Sequence, residues 1–151
     1  MLCIVSTQPI SPGVAIASVA AAATTGALVA MGHRLGSVAL PFAAIGASLF
    51  RRTVTAGSPS FVLAGVVLHI TIVFVWSVVF VFLVRHARWR DVVAAVVIGG
   101  GELVTSRVAT SVTGAGIASV LPFGDQLVLA LVYASALVVG MRIAFPPLRN
   151  A

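Results

Sequence analysis

Four long runs of apolar residues, separated by short stretches that hold most of the arginine, organise this chain. A run of about 20 apolar residues crosses a ~30 Å hydrocarbon core at 1.5 Å per helical residue. The first run, Gly13 to Gly32, is rich in alanine and follows the polar, proline-marked segment Ser6 to Pro12. No basic stretch stands before it as in a secretory signal, so it reads as a retained helix. His33-Arg34-Leu35-Gly36 leads into a shorter apolar piece, Ser37 to Phe50, interrupted by Pro41 and closed by Arg51-Arg52. That piece is short for a span, and a re-entrant or interfacial helix is expected there.

Phe61 to Val84 is dense in Val, Phe, Ile and Leu, broken only by Gly65, His69, Thr71, Trp76 and Ser77. The basic link Arg85 to Asp91 turns the chain back, with Trp89 placed among arginines as interfacial aromatics are. The third run, about Val92 to Val120, carries Gly99-Gly100-Gly101-Glu102 and Arg107. The fourth, about Gln126 to Phe145, stops at Pro146-Pro147. The expected fold is all-α: a single polytopic transmembrane helical bundle of four spans plus one short helix over residues 37–50. A five-span arrangement, in which Ser37 to Phe50 crosses fully, is the alternative.

Arginine counts in short loops set the expected orientation. With both termini cytoplasmic, Arg85, Arg88, Arg90, Arg142 and Arg149 lie inside, against Arg34, Arg51 and Arg52 outside. Small residues recur at four-residue spacing in two runs: Ser18, Ala22, Gly26 and Ala30 in the first, Ser106, Thr110, Gly114 and Ala118 in the third. Such stripes let helices approach closely in lipid, so the first and third helices are expected to be close-packed, within the bundle or against a partner. The bulky second span is expected to face lipid or, equally, to dock into a larger complex.

Composition strengthens the membrane reading. Of 151 residues, 60% are hydrophobic and 8% charged, where a soluble domain carries about a quarter charged. The net charge of +6 comes from nine arginines, with no lysine, against Asp91, Glu102 and Asp125. The arginines sit mostly between and beside the apolar runs rather than on one basic face, which argues against a nucleic-acid partner and for contact with lipid headgroups. The single cysteine, Cys3, excludes an internal disulfide and a thiolate metal cluster.

An ionisable residue at membrane depth is costly enough to suggest a function. Glu102 lies about 16 Å beyond Asp91, near the midplane, and Arg107 about 8 Å deeper at the helical rise. About a turn at Arg88, His69 and Arg107 are at equal sequence distance, which predicts equal depth. His69, Glu102 and Arg107 therefore form a candidate buried polar cluster, with Glu102 as a proton or cation site and Gly99 to Gly101 loosening the helix beside it. Against this, Glu102 pairs with an arginine and the glycines merely permit close packing. Glu102 and Arg107 themselves are about 140° apart on a helix and make a poor pair.

Two histidines from different helices often hold a membrane haem. His33, however, is at a helix end and His69 within the membrane, while His86 sits at headgroup level. No cofactor and no metal site is expected. Motifs for metalloproteases, redox dithiols, phosphate loops and serine hydrolases are absent. Asp125, in the turn after Pro122, is expected to cap the fourth helix.

The set Gly32-His33-Arg34-Leu35-Gly36-Ser37, Pro41-Phe42, Gly65, His69 and Trp76 resembles a group of small uncharacterised bacterial four-helix membrane proteins. The resemblance covers about the first half of the chain. It implies the bundle architecture and a bacterial inner membrane, and no activity. The function expected from the sequence is a non-catalytic membrane subunit or accessory protein that packs against partner subunits or itself. The alternatives are a proton or ion conductor or transporter using Glu102, and a haem- or pigment-binding electron-transfer subunit using His69.

Overall fold

The computed structural model describes residues 11–50, 58–87 and 89–145. Cys3, the segment before Ser11, Arg51-Arg52, Arg88, Pro146-Pro147 and Arg149 lie outside the described residues. Among the described residues five helices follow one another, α1 (Pro12–Arg34), α2 (Leu40–Phe50), α3 (Pro59–Arg85), α4 (Asp91–Thr113) and α5 (Phe123–Ala144), with one 3-10 turn at Ile117–Ser119. No strand occurs among the described residues. α1, α3, α4 and α5 are long and apolar enough to cross a membrane, the architecture of a multi-pass membrane protein.

Local chemistry sets the ends. The Ser11 side chain accepts a hydrogen bond from the Val14 amide, and Pro12 and Pro59 open α1 and α3, where a missing N–H costs nothing. Gly36, at φ 82°, breaks the chain between α1 and α2. α2 has 11 residues, about 16 Å of helix, so it does not cross. The third span ends at Thr113, not near Val120 as its apolar composition predicts. Gly114 is in the left-handed region at φ 72°, a helix C-terminal conformation in which glycine is favoured, and Gly116 follows at φ 144°.

Successive spans are antiparallel. α5 packs most extensively on α1 and next on α4; α1 also packs on α3, and α3 carries α2 along its first turns. Glycines permit three of these approaches. A Cβ on Gly140 would crowd Ile16, one on Gly99 would meet the Ala130 carbonyl, and Gly46 and Gly65 cross backbone to backbone. α5 and α1 are the best buried spans, while α4 is no more buried than α3. Of the two spans expected to be close-packed within the bundle or against a partner, α1 is among the better buried and α4 leaves most of its surface outward.

One apolar cluster, including Ile16, Phe80, Ile98, Leu137 and Met141, fills the half of the bundle that holds the α3–α4 turn. A second, built on Leu28, Met31, Phe42, Ile117, Leu121 and Leu129, fills the half that holds α2. Between them lies the polar layer.

Candidate functional site: a polar cavity at mid-bundle

Glu102 lies eleven residues from either end of α4. Across from it, His69 of α3 is buried at 9% exposure and meets Thr24 of α1, with Nε2 and Oγ1 3.1 Å apart. The Thr24 hydroxyl donates to the Ala20 carbonyl at 2.9 Å, so its oxygen accepts from the imidazole. That fixes the neutral ring as the Nε2–H tautomer and leaves Nδ1 an acceptor. Phe42 of α2 sets its ring edge-on to His69 at 6.2 Å between centroids. Tyr133 of α5 donates to the Val73 carbonyl at 3.2 Å.

Two cavities adjoin these groups. The smaller, about 20 Å³, is lined by Thr24, His69, Glu102 and Tyr133, one residue from each span, together with Ile72, Val73 and Leu129. It has room for a water. The larger, about 90 Å³, shares His69 and Glu102 and runs past Ser106 and Thr110 of α4 to Gly116 and to Ser48 of α2. Toward the α3–α4 turn the first apolar cluster closes the bundle, so the larger cavity extends only toward the α2 end.

The hydroxyls on this path are already committed as donors. Ser48 donates to Ile45, Ser106 to Leu103 and Thr110 to Ser106, each to a carbonyl within its own helix. This back-bonding satisfies the proton and turns an oxygen lone pair outward. The helix carrying Glu102 is continuous through Gly99–Gly101. A Cβ on Gly99 would crowd α5, one on Gly101 would come within 3.6 Å of the Trp76 ring and one on Gly100 would meet nothing, so the triplet lies in an unbroken helix and serves packing at its first glycine.

His69 and Glu102 are thus brought together, and Arg107 is not. Arg107 is exposed, with its guanidinium 4.8 Å over the Phe123 ring. Equal depth put it level with His69, but its rotation about α4 points it away. The small-residue stripes, expected to pack within the bundle or against a partner, divide between its surface and its cavity. Ser18, Ala22, Gly26 and Ala30 lie on the exposed side of α1, whereas the inward side is Ile16, Ala20, Thr24 and Leu28. On α4, Ser106 and Thr110 line the cavity, Gly114 ends the helix and Ala118 falls in the 3-10 turn.

Asp125 does not cap α5. It stands in the first turn and pairs with Arg34 of α1 at 2.7 Å, the one ion pair among the described residues. Next to it, Gln126 donates to the Leu121 carbonyl at 2.7 Å, while its buried Oε1 has no partner. His33 is exposed at the end of α1, and exposed His86 stacks on Phe82. With the Nε2 of His69 engaged by Thr24 and so little free volume beside it, the site does not fit a haem. No group of three or more metal-ligating side chains gathers among the described residues. Thr24 and Tyr133 were not anticipated, although a lone tyrosine inside an apolar run is itself a signal.

Comparisons with protein-family models, with curated proteins and with solved structures find no match to this chain.

Proposed function

We propose that this protein handles a proton or a small cation at Glu102, as a small carrier or conductor of a bacterial inner membrane. One observation supports this most. Glu102 and His69, from different spans, line the same mid-bundle cavities, and no cation pairs with Glu102 among the described residues. A carboxylate kept at that depth for structure alone is normally paired, because an unpaired charge there is costly. The cavity extends from Glu102 toward the α2 half of the bundle, the half that the arginine rule puts away from the cytoplasm. No catalytic step is assigned to it.

The test is ion flux in liposomes that contain the purified protein and a pH-sensitive dye, under an imposed gradient. Flux is expected in the wild type, and Glu102→Gln, which keeps the size of the side chain, should abolish it while the protein still purifies intact. Absence of flux in the wild type overturns the reading.

A second reading, an accessory subunit that packs on a partner or on a second copy, is favoured by the exposed stripe on α1. A Cβ on Gly26 would meet nothing within 4 Å, so the stripe is a flat strip of the kind that seats another helix in lipid. Gly26→Leu should then disrupt association in mild detergent without unfolding the bundle.

A further inference from the structure

The lining of the larger cavity narrows what Glu102 can take. Its charge is one carboxylate, with no cation beside it among the described residues. The hydroxyl protons of Ser48, Ser106 and Thr110 are donated to backbone carbonyls, and the Nε2–H of His69 is donated to Thr24. The side chains therefore offer acceptors and withhold donors. A guest must bring the positive charge, and these few, spread-out oxygens suit N–H donors better than the full shell of oxygen ligands that a bare metal ion takes.

The remaining wall is hydrocarbon: Ile45, Leu68, Ile72, Ala109 and Leu129. A divalent metal ion is poorly served, since calcium takes six to eight oxygen ligands and magnesium demands an octahedron. The volume of about 90 Å³ holds a few waters or a small cation, whereas drug-sized ligands occupy roughly 300–1,000 Å³.

Resting on the proposed role of Glu102, we propose that the cavity is a binding site for a small monovalent ammonium-type cation, either ammonium or a short primary alkylammonium such as methylammonium. The charged nitrogen donates to the Glu102 carboxylate and to the outward lone pairs of the hydroxyls. Any alkyl group lies on the apolar wall. One charge on the guest balances one on the protein, which leaves the mid-bundle layer neutral when occupied.

Binding of radiolabelled methylammonium to the full-length protein in detergent tests this, with unlabelled ammonium, sodium and tetramethylammonium as competitors. Binding near one per chain is expected, displaced by ammonium but not by tetramethylammonium, which has no N–H, nor by equimolar sodium. Glu102→Gln should weaken it at least about tenfold, the effect of losing one charge-assisted hydrogen bond. An unchanged melting temperature would show that the fold is intact. Should that variant unfold, Thr110→Val removes one acceptor and should weaken binding by a smaller factor. No methylammonium binding, equal displacement by sodium, or equal binding by Glu102→Gln overturns the ligand class. Glu102-dependent proton or sodium flux without methylammonium binding defeats this inference alone, and absence of both defeats the proposed role of Glu102 as well.

Discussion

Gly46 on α2 and Gly65 on α3 meet so closely that a Cβ on either would strike the other helix: Gly46 the carbonyl of Phe61, and Gly65 the carbonyl of Phe42. Those atoms are backbone and cannot rotate aside. The contact seats α2 along the start of α3 and holds Phe42 over His69. Gly65→Ala is expected to cost about 1–3 kcal/mol by overpacking. Gly26→Ala, in open space, should be neutral or gain roughly 0.5–1 kcal/mol from helix propensity. Thermal unfolding in one detergent compares them, and equal midpoints would contradict the close crossing.

Thr24→Val keeps the shape of the side chain and removes the one acceptor that the described residues give the His69 Nε2–H. The buried donor is then orphaned, at a cost of about 1–3 kcal/mol. Thr24→Ser should retain most of the stability. Nitrogen chemical shifts of the His69 ring should report the Nε2–H tautomer in the wild type and in Thr24→Ser, and lose that signature in Thr24→Val.

Tyr133→Phe should be mild despite the burial of the ring, because the Val73 carbonyl it serves also accepts from Ser77 at 2.7 Å. A cost of at most about 1 kcal/mol is expected, since no partner is left unsatisfied. Tyr133→Ala removes the ring and should cost about 3–5 kcal/mol through the void it leaves. Chemical denaturation of the two variants should separate these values.

The Arg34–Asp125 pair ties the end of α1 to the start of α5, but its side chains are 63% and 21% exposed. Its coupling in a double-mutant cycle is expected at about 0.2–1 kcal/mol, shrinking at high salt. A coupling that ignores salt would contradict a surface pair.

Hydropathy located three spans to within a few residues. It overran the fourth boundary because residues 114–121 are as apolar as a helix, while Gly114 and Gly116 adopt positive φ. Depth was legible in part, since a fixed rise per residue places Glu102 near the midplane but puts His69 level with Arg107, about 8 Å farther, whereas His69 and Glu102 line the same cavities. Rotation was not. A four-residue stripe identifies a flat helix side without saying which way it faces, and the stripe on α1 faces outward. Arg107 failed for the same reason. Thr24 is one hydroxyl among apolar neighbours, and only the packing of α1 on α3 reveals its partner.

The hydroxyls of α4 bear on how the molecule is made. α3 is the most apolar of the four spans and α4 the least. Thr105, Ser106, Thr110 and Ser111 each return a proton to a carbonyl of their own helix, so the segment is tolerable in lipid without being drawn there strongly. α4 is made after α3, which it touches only lightly, and before its principal neighbour α5. A span of low hydropathy in that interval depends on its tether to a strong anchor more than on its own affinity for the bilayer. A chain halted before Phe123 keeps the anchor and loses the neighbour, which makes its lifetime in the cell a measure of how firmly the translocation machinery retains a weak span.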